Sequence, residues 1–299
     1  MFKVAWDPIY VHPVPKGHRF PMEKYELLPL QLIHEGIVSE NQIFSPSFGE
    51  VYDYSIHCFE YLERLRTITL SKKEERASGF KQSKTLIERE FCITNGTIEI
   101  ALSALKDGIG FNIAGGTHHA FSNRPEGFCL LNDQAIASMN LIKHKLAKKI
   151  LIIDLDVHQG NGTAEILKNI PEVFTFSMHG KKNYPLEKPK SNFDIALEDG
   201  TEDDEYLKQL NNAMDQIFSQ FTPDFIFYQS GVDVLNSDKL GRLSLSPEGC
   251  KKRDEIVFKR AKKENLPIVV TMGGGYSEKI SDILNAHRNT FQGAIDIIL

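Results

Sequence analysis

The sequence contains no long apolar run, no low-complexity segment and few cysteines, and each absence excludes a class of protein. No stretch of the 299 residues is apolar over the length that crosses a bilayer, so we expect no membrane insertion. Residues 1–15 lack the basic and apolar regions of a secretion signal, which favours a cytoplasmic protein. The cysteines have no paired spacing, which predicts reduced thiols at Cys58, Cys92, Cys129 and Cys250.

Charge and composition narrow the class further. The formal net charge of −5 argues against a protein whose main task is to bind nucleic acid through its phosphates. Hydrophobic residues make up 41% of the chain, which is too many for a disordered protein. No internal repeat and no Pro- or Ser-rich linker divides the sequence, so we predict one domain over residues 1–299.

Short β-branched or aromatic runs alternate with longer segments of helical periodicity. This order is typical of an α/β fold with a mostly parallel central sheet and helices on both faces. The predicted strands are residues 3–6, 110–113, 150–155, 173–176, 224–228 and 268–272. The predicted helices are residues 23–35, 86–105, 133–148, 202–221, 247–264 and 278–297. We expect an exposed helical region over residues 58–89 and a surface loop over residues 180–200.

Four polar, Gly-rich segments occupy one topological position, directly after a predicted strand. They are residues 114–119, 154–162, 231–233 and 273–276. Ligands of parallel α/β sheets bind outside the carboxyl ends of the strands, where the loops converge. The sequence therefore predicts that these four segments meet in a single cleft.

Asp156 and His158 can share a metal ion, because side chains two residues apart at a strand end can point to the same side. A carboxylate and an imidazole suit zinc or ferrous iron, and Asp233 could complete a three-ligand site with an open position for water. The alternative is a buried Asp–His pair that caps the following helix. Asp154 favours the metal, because two buried carboxylates are costly without a cation.

Histidine and tyrosine supply the remaining polar groups of the predicted cleft. His118 and His119 are adjacent after a Gly-Gly turn, and neutral imidazole can move protons near neutral pH. Tyr276 follows three glycines and can donate a hydrogen bond to a developing oxyanion. Phe128 suits either core packing or the wall of a narrow apolar channel.

Taken together and in this order, the motifs resemble the zinc-dependent histone deacetylase superfamily, which has an arginase-like α/β fold. The resemblance runs from residues 12–21 through residues 273–276, and so spans nearly the whole chain. Residues 115–121 and 154–162 are most similar to the class IV branch and its bacterial relatives.

The resemblance implies a role for each motif residue. Zinc would be bound by Asp156, His158 and Asp233, and a structural potassium ion by Asp154, Asp156, His158, Ser177 and Met178. His119 would act as general base and then general acid, His118 as its electrostatic partner, and Tyr276 as oxyanion donor. The channel for the substrate would be lined by Gly127, Phe128 and Gly274.

One position departs from the commoner family pattern. Asn161 stands where many members have an Asp that pairs with the second histidine, and the resemblance to class IV includes this Asn. A neutral amide supports an imidazolium less well than a carboxylate does, so we expect His119 to be less basic than in those members.

The function that the resemblance implies is hydrolysis of the amide of an acylated lysine, on a peptide or protein, with an acetyl or a longer fatty acyl group. The first alternative is a small acylated amine such as an acylpolyamine, for which Glu126, Glu198 and the acidic residues 202–205 could form an acidic rim. A ureohydrolase-like enzyme would need further Asp and His ligands for two manganese ions. A non-catalytic acyl-ligand binder would not need both His119 and Tyr276.

Overall fold

Eight strands form one sheet in the computed structural model, which describes residues 1–299. The strands are β1 (Lys3–Ala5), β2 (Ile43–Phe44), β3 (Ile109–Asn112), β4 (Ile150–Asp154), β5 (Val173–Gly180), β6 (Phe193–Leu197), β7 (Phe225–Gln229) and β8 (Ile268–Thr271). Their order across the sheet is β2-β1-β3-β8-β7-β4-β5-β6. Every neighbouring pair is parallel, which confirms the predicted fold class.

Nine α-helices connect or flank these strands. They are α1 (Lys24–His34), α2 (Phe59–Arg66), α3 (Lys72–Ser78), α4 (Lys84–Asp107), α5 (Asp133–Lys143), α6 (Asn161–Leu167), α7 (Asp203–Gln220), α8 (Pro247–Lys263) and α9 (Ile280–Ile298). Ser246 begins α8 by accepting a hydrogen bond from the Gly249 N–H at 2.9 Å, with Pro247 at the first helical position. None of the helices combines the length and the apolar character that a membrane span requires.

The six predicted strands and six predicted helices are all present, and the differences have local causes. The helix predicted over residues 133–148 ends at Lys143, because Lys145 has a left-handed φ of 58°. The predicted loop over residues 180–200 contains the edge strand β6, a half-buried strand of five residues among Pro, Lys and Asn. The region predicted to be exposed and helical is helical, but Tyr61, Leu62 and Leu65 of α2 are buried.

Strand β4 is an interior strand of the sheet and is buried along its whole length. It pairs with β7 on one side and with β5 on the other, and all of its side chains are buried, as expected for a strand whose sequence is apolar on both faces. The three strands that carry the Asp-rich and Gly-rich motifs, β4, β7 and β8, are consecutive in the sheet. Their carboxyl ends therefore lie side by side.

The buried guanidinium of Arg253 binds the backbone just after the ends of β4 and β7. Arg253 of α8 donates hydrogen bonds to the carbonyl oxygens of Leu155 at 3.2 Å and Gly231 at 2.5 Å. Asp254 balances its charge and also accepts from the Tyr228 hydroxyl. Because the guanidinium is fully buried, these hydrogen bonds keep its cost low and hold the two strand ends at a fixed separation.

Candidate active site

The four segments predicted to share a cleft do converge at the carboxyl edge of the sheet. Asp156 and His158 follow β4, Asp233 follows β7, and these three side chains offer ligand atoms that all lie within 4.8 Å of one another. All three are buried, with exposures of 1%, 8% and 0%. The convergence arises because β4 and β7 are paired in parallel, with Asp154 opposite Gln229.

One imidazole nitrogen lies between the two carboxylates. His158 Nδ1 is 3.1 Å from Asp156 Oδ1 and 3.1 Å from Asp233 Oδ2. Burial acts to lower the pKa of His158, but its hydrogen bonds to the two carboxylates outweigh burial and raise the pKa to about 10. Burial and the charge of Asp156 together raise the pKa of Asp233. The arrangement therefore concentrates negative charge and favours a cation at this point.

The donor set fits a divalent metal ion such as zinc. Each carboxylate uses one oxygen to accept a backbone N–H, from Gly274 to Asp156 Oδ2 at 2.8 Å and from Val157 to Asp233 Oδ1 at 2.9 Å. The other oxygen of each carboxylate faces His158. Two carboxylates and one imidazole, oriented by backbone donors, are a set that catalytic zinc sites use.

Gly274 must be a glycine for the loop to pass this close to the ligands. A Cβ on Gly274 would lie 2.0 Å from Asp233 Oδ2 and 2.8 Å from Asp156 Oδ2. The loop itself is held from below by Lys24, whose Nζ donates to the Gly273 carbonyl oxygen at 2.8 Å. Burial lowers the pKa of Lys24 to about 8.

The two adjacent histidines have different partners. His118 Nδ1 lies 2.7 Å from Asp154 Oδ2, whereas His119 Nδ1 lies 2.6 Å from Asn161 Oδ1. Burial acts to lower the pKa of His118, but the carboxylate of Asp154 raises it to about 9. Burial, together with His118 and His158, lowers the pKa of His119 well below the usual histidine range. His118 is therefore cationic and His119 neutral near pH 7.

The turn that carries this pair is fixed by Asp133, at the start of α5. The Asp133 carboxylate accepts from the backbone N–H of Gly116 at 3.0 Å and of Thr117 at 2.8 Å. It also accepts from the Thr97 hydroxyl at 2.6 Å. The residues before the histidines are thus bound to the interior by charged hydrogen bonds, which gives the rings a defined position.

Aromatic rings form the wall beside the predicted metal ligands. The ring centroid of Tyr276 lies 6.2 Å from that of His158, and the ring of Phe128 lies 6.2 Å from that of Tyr276. Phe20 approaches Phe128 at 5.3 Å and Phe80 at 5.8 Å. Phe128 therefore lines the cleft and also packs on other rings.

Gly127 allows Phe128 to reach this position. Gly127 has a φ of +53°, and a Cβ there would lie 2.5 Å from Cδ2 of His119. Phe128 itself has a φ of 67°, which is uncommon for a residue with a bulky side chain. The tight turn places the phenylalanine ring and the His119 ring on the same cleft.

Glu126 and Tyr184 lie beside Asn161 and His119 in the cleft, a placement that the sequence did not predict. Glu126 Oε1 accepts a hydrogen bond from Asn161 Nδ2 at 2.9 Å, and the Tyr184 hydroxyl binds the same oxygen. The ring of Tyr184 meets that of His119 edge-on at 5.2 Å. The sequence placed Glu126 at an acidic rim and gave no role to Tyr184, because nothing local links either residue to Asn161.

The residues that the resemblance assigns to potassium lie on or just after the neighbouring strands β4 and β5. Asp154 on β4 is paired in register with Ser177 on β5, and Met178 is the next residue of that strand. Asp154 Oδ1 accepts from the Asp156 N–H at 3.2 Å, and Ser177 Oγ lies 2.9 Å from His179 Nδ1. Carboxylate, hydroxyl and backbone oxygens are the donors that a hard cation prefers.

Comparison with known sequences relates the chain to one family. The family model of the histone deacetylase domain matches residues 18–290. An uncharacterised protein of Picosynechococcus sp. is 39% identical over 297 residues, which are 99% of each chain. Histone deacetylase 2 of Arabidopsis thaliana is 30% identical over 281 residues, which cover 91% of this chain and 73% of the relative. The chain spans 58% of the length of Homo sapiens histone deacetylase 1, at 27% identity.

Comparison with solved structures shows the same fold. The crystal structure of an HDAC homolog from Aquifex aeolicus matches with a TM-score of 0.83 at 23% identity, over 98% of this chain and 84% of the other. That of an HDAC homolog complexed with SAHA matches with a TM-score of 0.82 at 24% identity, over 98% and 83% of the two chains. The domain match and the similarity to the Arabidopsis protein establish that this chain belongs to the histone deacetylase family.

Proposed function

We propose that this chain is a zinc-dependent hydrolase, a single catalytic domain over residues 1–299 that cleaves the amide of an acylated lysine side chain. One observation carries the proposal. His119, His158 and Tyr276 line the same cleft, beside a buried group of three ligand side chains. A proton acceptor, a metal ligand and a phenol donor in one cleft are the parts that amide hydrolysis requires.

Asp156, His158 and Asp233 are the proposed zinc ligands. When bound there, zinc would polarise the acyl carbonyl and lower the pKa of a water molecule. With three protein ligands, the site would keep a position for water or substrate, which is typical of catalytic zinc sites and not of structural ones. The resident metal is proposed as zinc because carboxylate and imidazole donors in a buried site suit it.

His119 is the proposed general base, and its tautomer follows from its neighbours. A carboxylate only accepts hydrogen bonds, so Asn161 turns its Nδ2 to Glu126 and its Oδ1 to His119. His119 must then carry its proton on Nδ1, which leaves Nε2 free to take a proton from the attacking water. The same nitrogen can return that proton to the leaving lysine amine.

Tyr276 and His118 complete the proposed chemistry. The Tyr276 phenol would donate a hydrogen bond to the oxyanion that forms on the acyl carbonyl oxygen when water attacks the carbon. The cation at His118, paired with Asp154, adds positive charge next to the reacting groups. Gly127, Gly274 and the ring of Phe128 shape the passage for the lysine side chain. Beyond it, Phe20, Tyr25 and Phe80 line one side of a small inner pocket, which is the proposed place of the acyl group.

Two finer assignments belong to the same proposal. Asn161 in contact with His119 supports membership of the class IV branch. Asp154, Ser177 and Met178, with Asp156 and His158, are the proposed ligands of a structural potassium ion. A ureohydrolase-like enzyme is not favoured, because the chain has one such group of three ligands and a two-manganese site needs more.

The phenol donor provides the first test. We expect Tyr276→Phe to fold normally and to lower turnover of an acyl-lysine peptide by about 10²- to 10³-fold, because one oxyanion donor is removed. Tyr52→Phe is a matched control, since Tyr52 lies elsewhere and bonds only Glu99. Turnover is measured by the release of free lysine amine. Near-normal turnover by Tyr276→Phe would contradict the assignment, and binding without turnover by the zinc-loaded wild type would favour a non-catalytic binder.

The metal ligands provide the second test. We expect wild-type protein to retain one zinc ion per chain through gel filtration and to melt at a higher temperature with zinc than with a chelator. Asp233→Asn keeps the shape of the side chain but removes a charge, so it should lose both properties. Asp204→Asn, an exposed residue in the first turn of α7, is the control. Unchanged zinc retention by Asp233→Asn would refute the ligand set.

A further inference from the structure

The mouth of the active-site cleft is strongly basic, although the chain as a whole has a net charge of −5. Its lining contains one acidic side chain, Glu126, and six basic ones: Arg19, Lys73, Arg76, Arg124, Lys182 and Arg242. These six residues are all exposed. They come from five separate segments, namely the loop before α1, helix α3 and the loops that follow β3, β5 and β7.

Few carboxylates compensate this charge. Arg19, Lys73 and Arg76 form no ion pair with any residue of the chain. Lys182 and Arg242 share the single carboxylate of Asp199, at 3.5 Å and 3.2 Å. Arg124 lies 3.3 Å from Glu126, which already accepts hydrogen bonds from Asn161 and Tyr184. The mouth therefore keeps a large excess of positive charge.

The acidic rim that an acylpolyamine hydrolase would use is absent from this mouth. Glu126 faces inward to Asn161, and Glu198 is paired with Lys181 on the surface. Among residues 202–205, Asp203 accepts hydrogen bonds from Ser246 at the start of α8, and none of the four lines the cleft. Glu126 is therefore the one residue of this set in the lining of the mouth, and the expected acidic rim does not form.

We propose, resting on the function proposed above, that the substrate is an acylated lysine within an acidic protein segment. A ring of like charge at a cleft mouth raises the local concentration of oppositely charged ligands and their association rate. Acidic residues on either side of the acyl-lysine would lie over the exposed guanidinium and ammonium groups while the acylated side chain enters the cleft. Polyamine conjugates and acyl-lysines in basic segments carry positive charge, as the mouth does, and are therefore poor substrates.

The test compares four substrates with the same acyl group. Three are peptides of equal length whose acyl-lysine is flanked by Asp and Glu, by Ser and Gly, or by Lys and Arg, and the fourth is an N-acylated polyamine. We expect kcat/KM for the acidic peptide to exceed that for the basic peptide by about tenfold or more, and the difference to shrink as salt is raised. Equal values, or a preference for the basic peptide or the polyamine, would overturn the inference.

Two charge-reversal variants distinguish the effect of the charge at the mouth from the effect of the net charge of the protein. Arg19→Glu with Lys73→Glu changes two unpaired groups of the mouth, and Glu is favourable in the first turn of α3. Lys145→Glu with Lys263→Glu changes the net charge equally, but these residues precede β4 and β8 at the opposite edge of the sheet. The first variant should lose the acidic preference and the second should keep it. The same shift in both variants would refute the mouth as its cause.

The proposed function and this inference fail in distinguishable ways. The peptide flanked by Ser and Gly reports on hydrolysis with little influence of the rim, so its complete stability would refute the hydrolase. Binding of fluorescently labelled versions of the three peptides, followed by anisotropy, reports on the mouth without any turnover. Tighter binding of the acidic peptide is expected, and equal binding would refute the inference even if all peptides are cleaved.

A different observation carries a second inference, on the neutral partner of His119. Asn161 lies between His119 and Glu126, with hydrogen bonds of 2.6 Å and 2.9 Å. Position 161 has an amide and not a carboxylate, but the carboxylate of Glu126 lies directly behind this amide as seen from His119. We infer that Glu126 is a positioning residue that acts through Asn161, because its charge orients and polarises the amide that holds His119.

Moving the carboxylate tests this role. Glu126→Gln should lower kcat by about tenfold with little change in KM, as is usual for residues behind a catalytic group. Asn161→Asp alone places a second carboxylate against that of Glu126, and because the two repel each other this variant should also lose activity. The double variant puts a carboxylate directly on His119 with an amide behind it, so its kcat should return to within about threefold of wild type. Wild-type kcat in Glu126→Gln, or losses that merely add in the double variant, would overturn the inference.

Discussion

The contact of two buried carboxylates with one imidazole nitrogen is the constraint on which the rest of the structure depends. Asp156, His158 and Asp233 come from the ends of two paired strands, and their ligand atoms lie within 4.8 Å of one another. Such a concentration of negative charge away from water is stable only with positive charge beside it. The surroundings supply backbone donors to the outer oxygens, a buried Lys24 beneath and the His118 cation alongside.

The surrounding hydrogen bonds give the site its rigidity and its division of roles. His118 and His119 are neighbours in sequence, yet one meets a carboxylate and the other an amide. Asp154 raises the pKa of His118 in spite of burial, whereas burial lowers the pKa of His119. Under the proposed function, this one pair of residues would supply both positive charge and proton transfer. Arg253 also fixes the backbone of the site, because it binds the carbonyl oxygens of Leu155 and Gly231, close to Asp156 and Asp233 in sequence.

The sequence allows the fold class, the motif-bearing strands and the convergence of Asp156, His158 and Asp233 to be predicted, because the ends of neighbouring parallel strands lie side by side. It does not allow the partners of those residues to be predicted. Glu126 and Asn161 are 35 positions apart, and only the turn at Gly127 brings the carboxylate to the amide. The charge of the mouth is hidden for the same reason: its basic residues come from five segments that are unremarkable one by one, in a chain that is acidic overall. Strand β6 is missed because an edge strand has a weak apolar pattern.

The central claim is that amide hydrolysis requires one divalent cation held by Asp156, His158 and Asp233. This cation would act together with the neutral His119 and the phenol of Tyr276. Titration of metal-free protein with zinc, with turnover of an uncharged acyl-lysine peptide followed at each step, measures this most directly. The account predicts that activity is absent at the start, rises in proportion to zinc and stops rising at one ion per chain. Full turnover by the metal-free protein, or a rise that continues to two ions per chain, would contradict it.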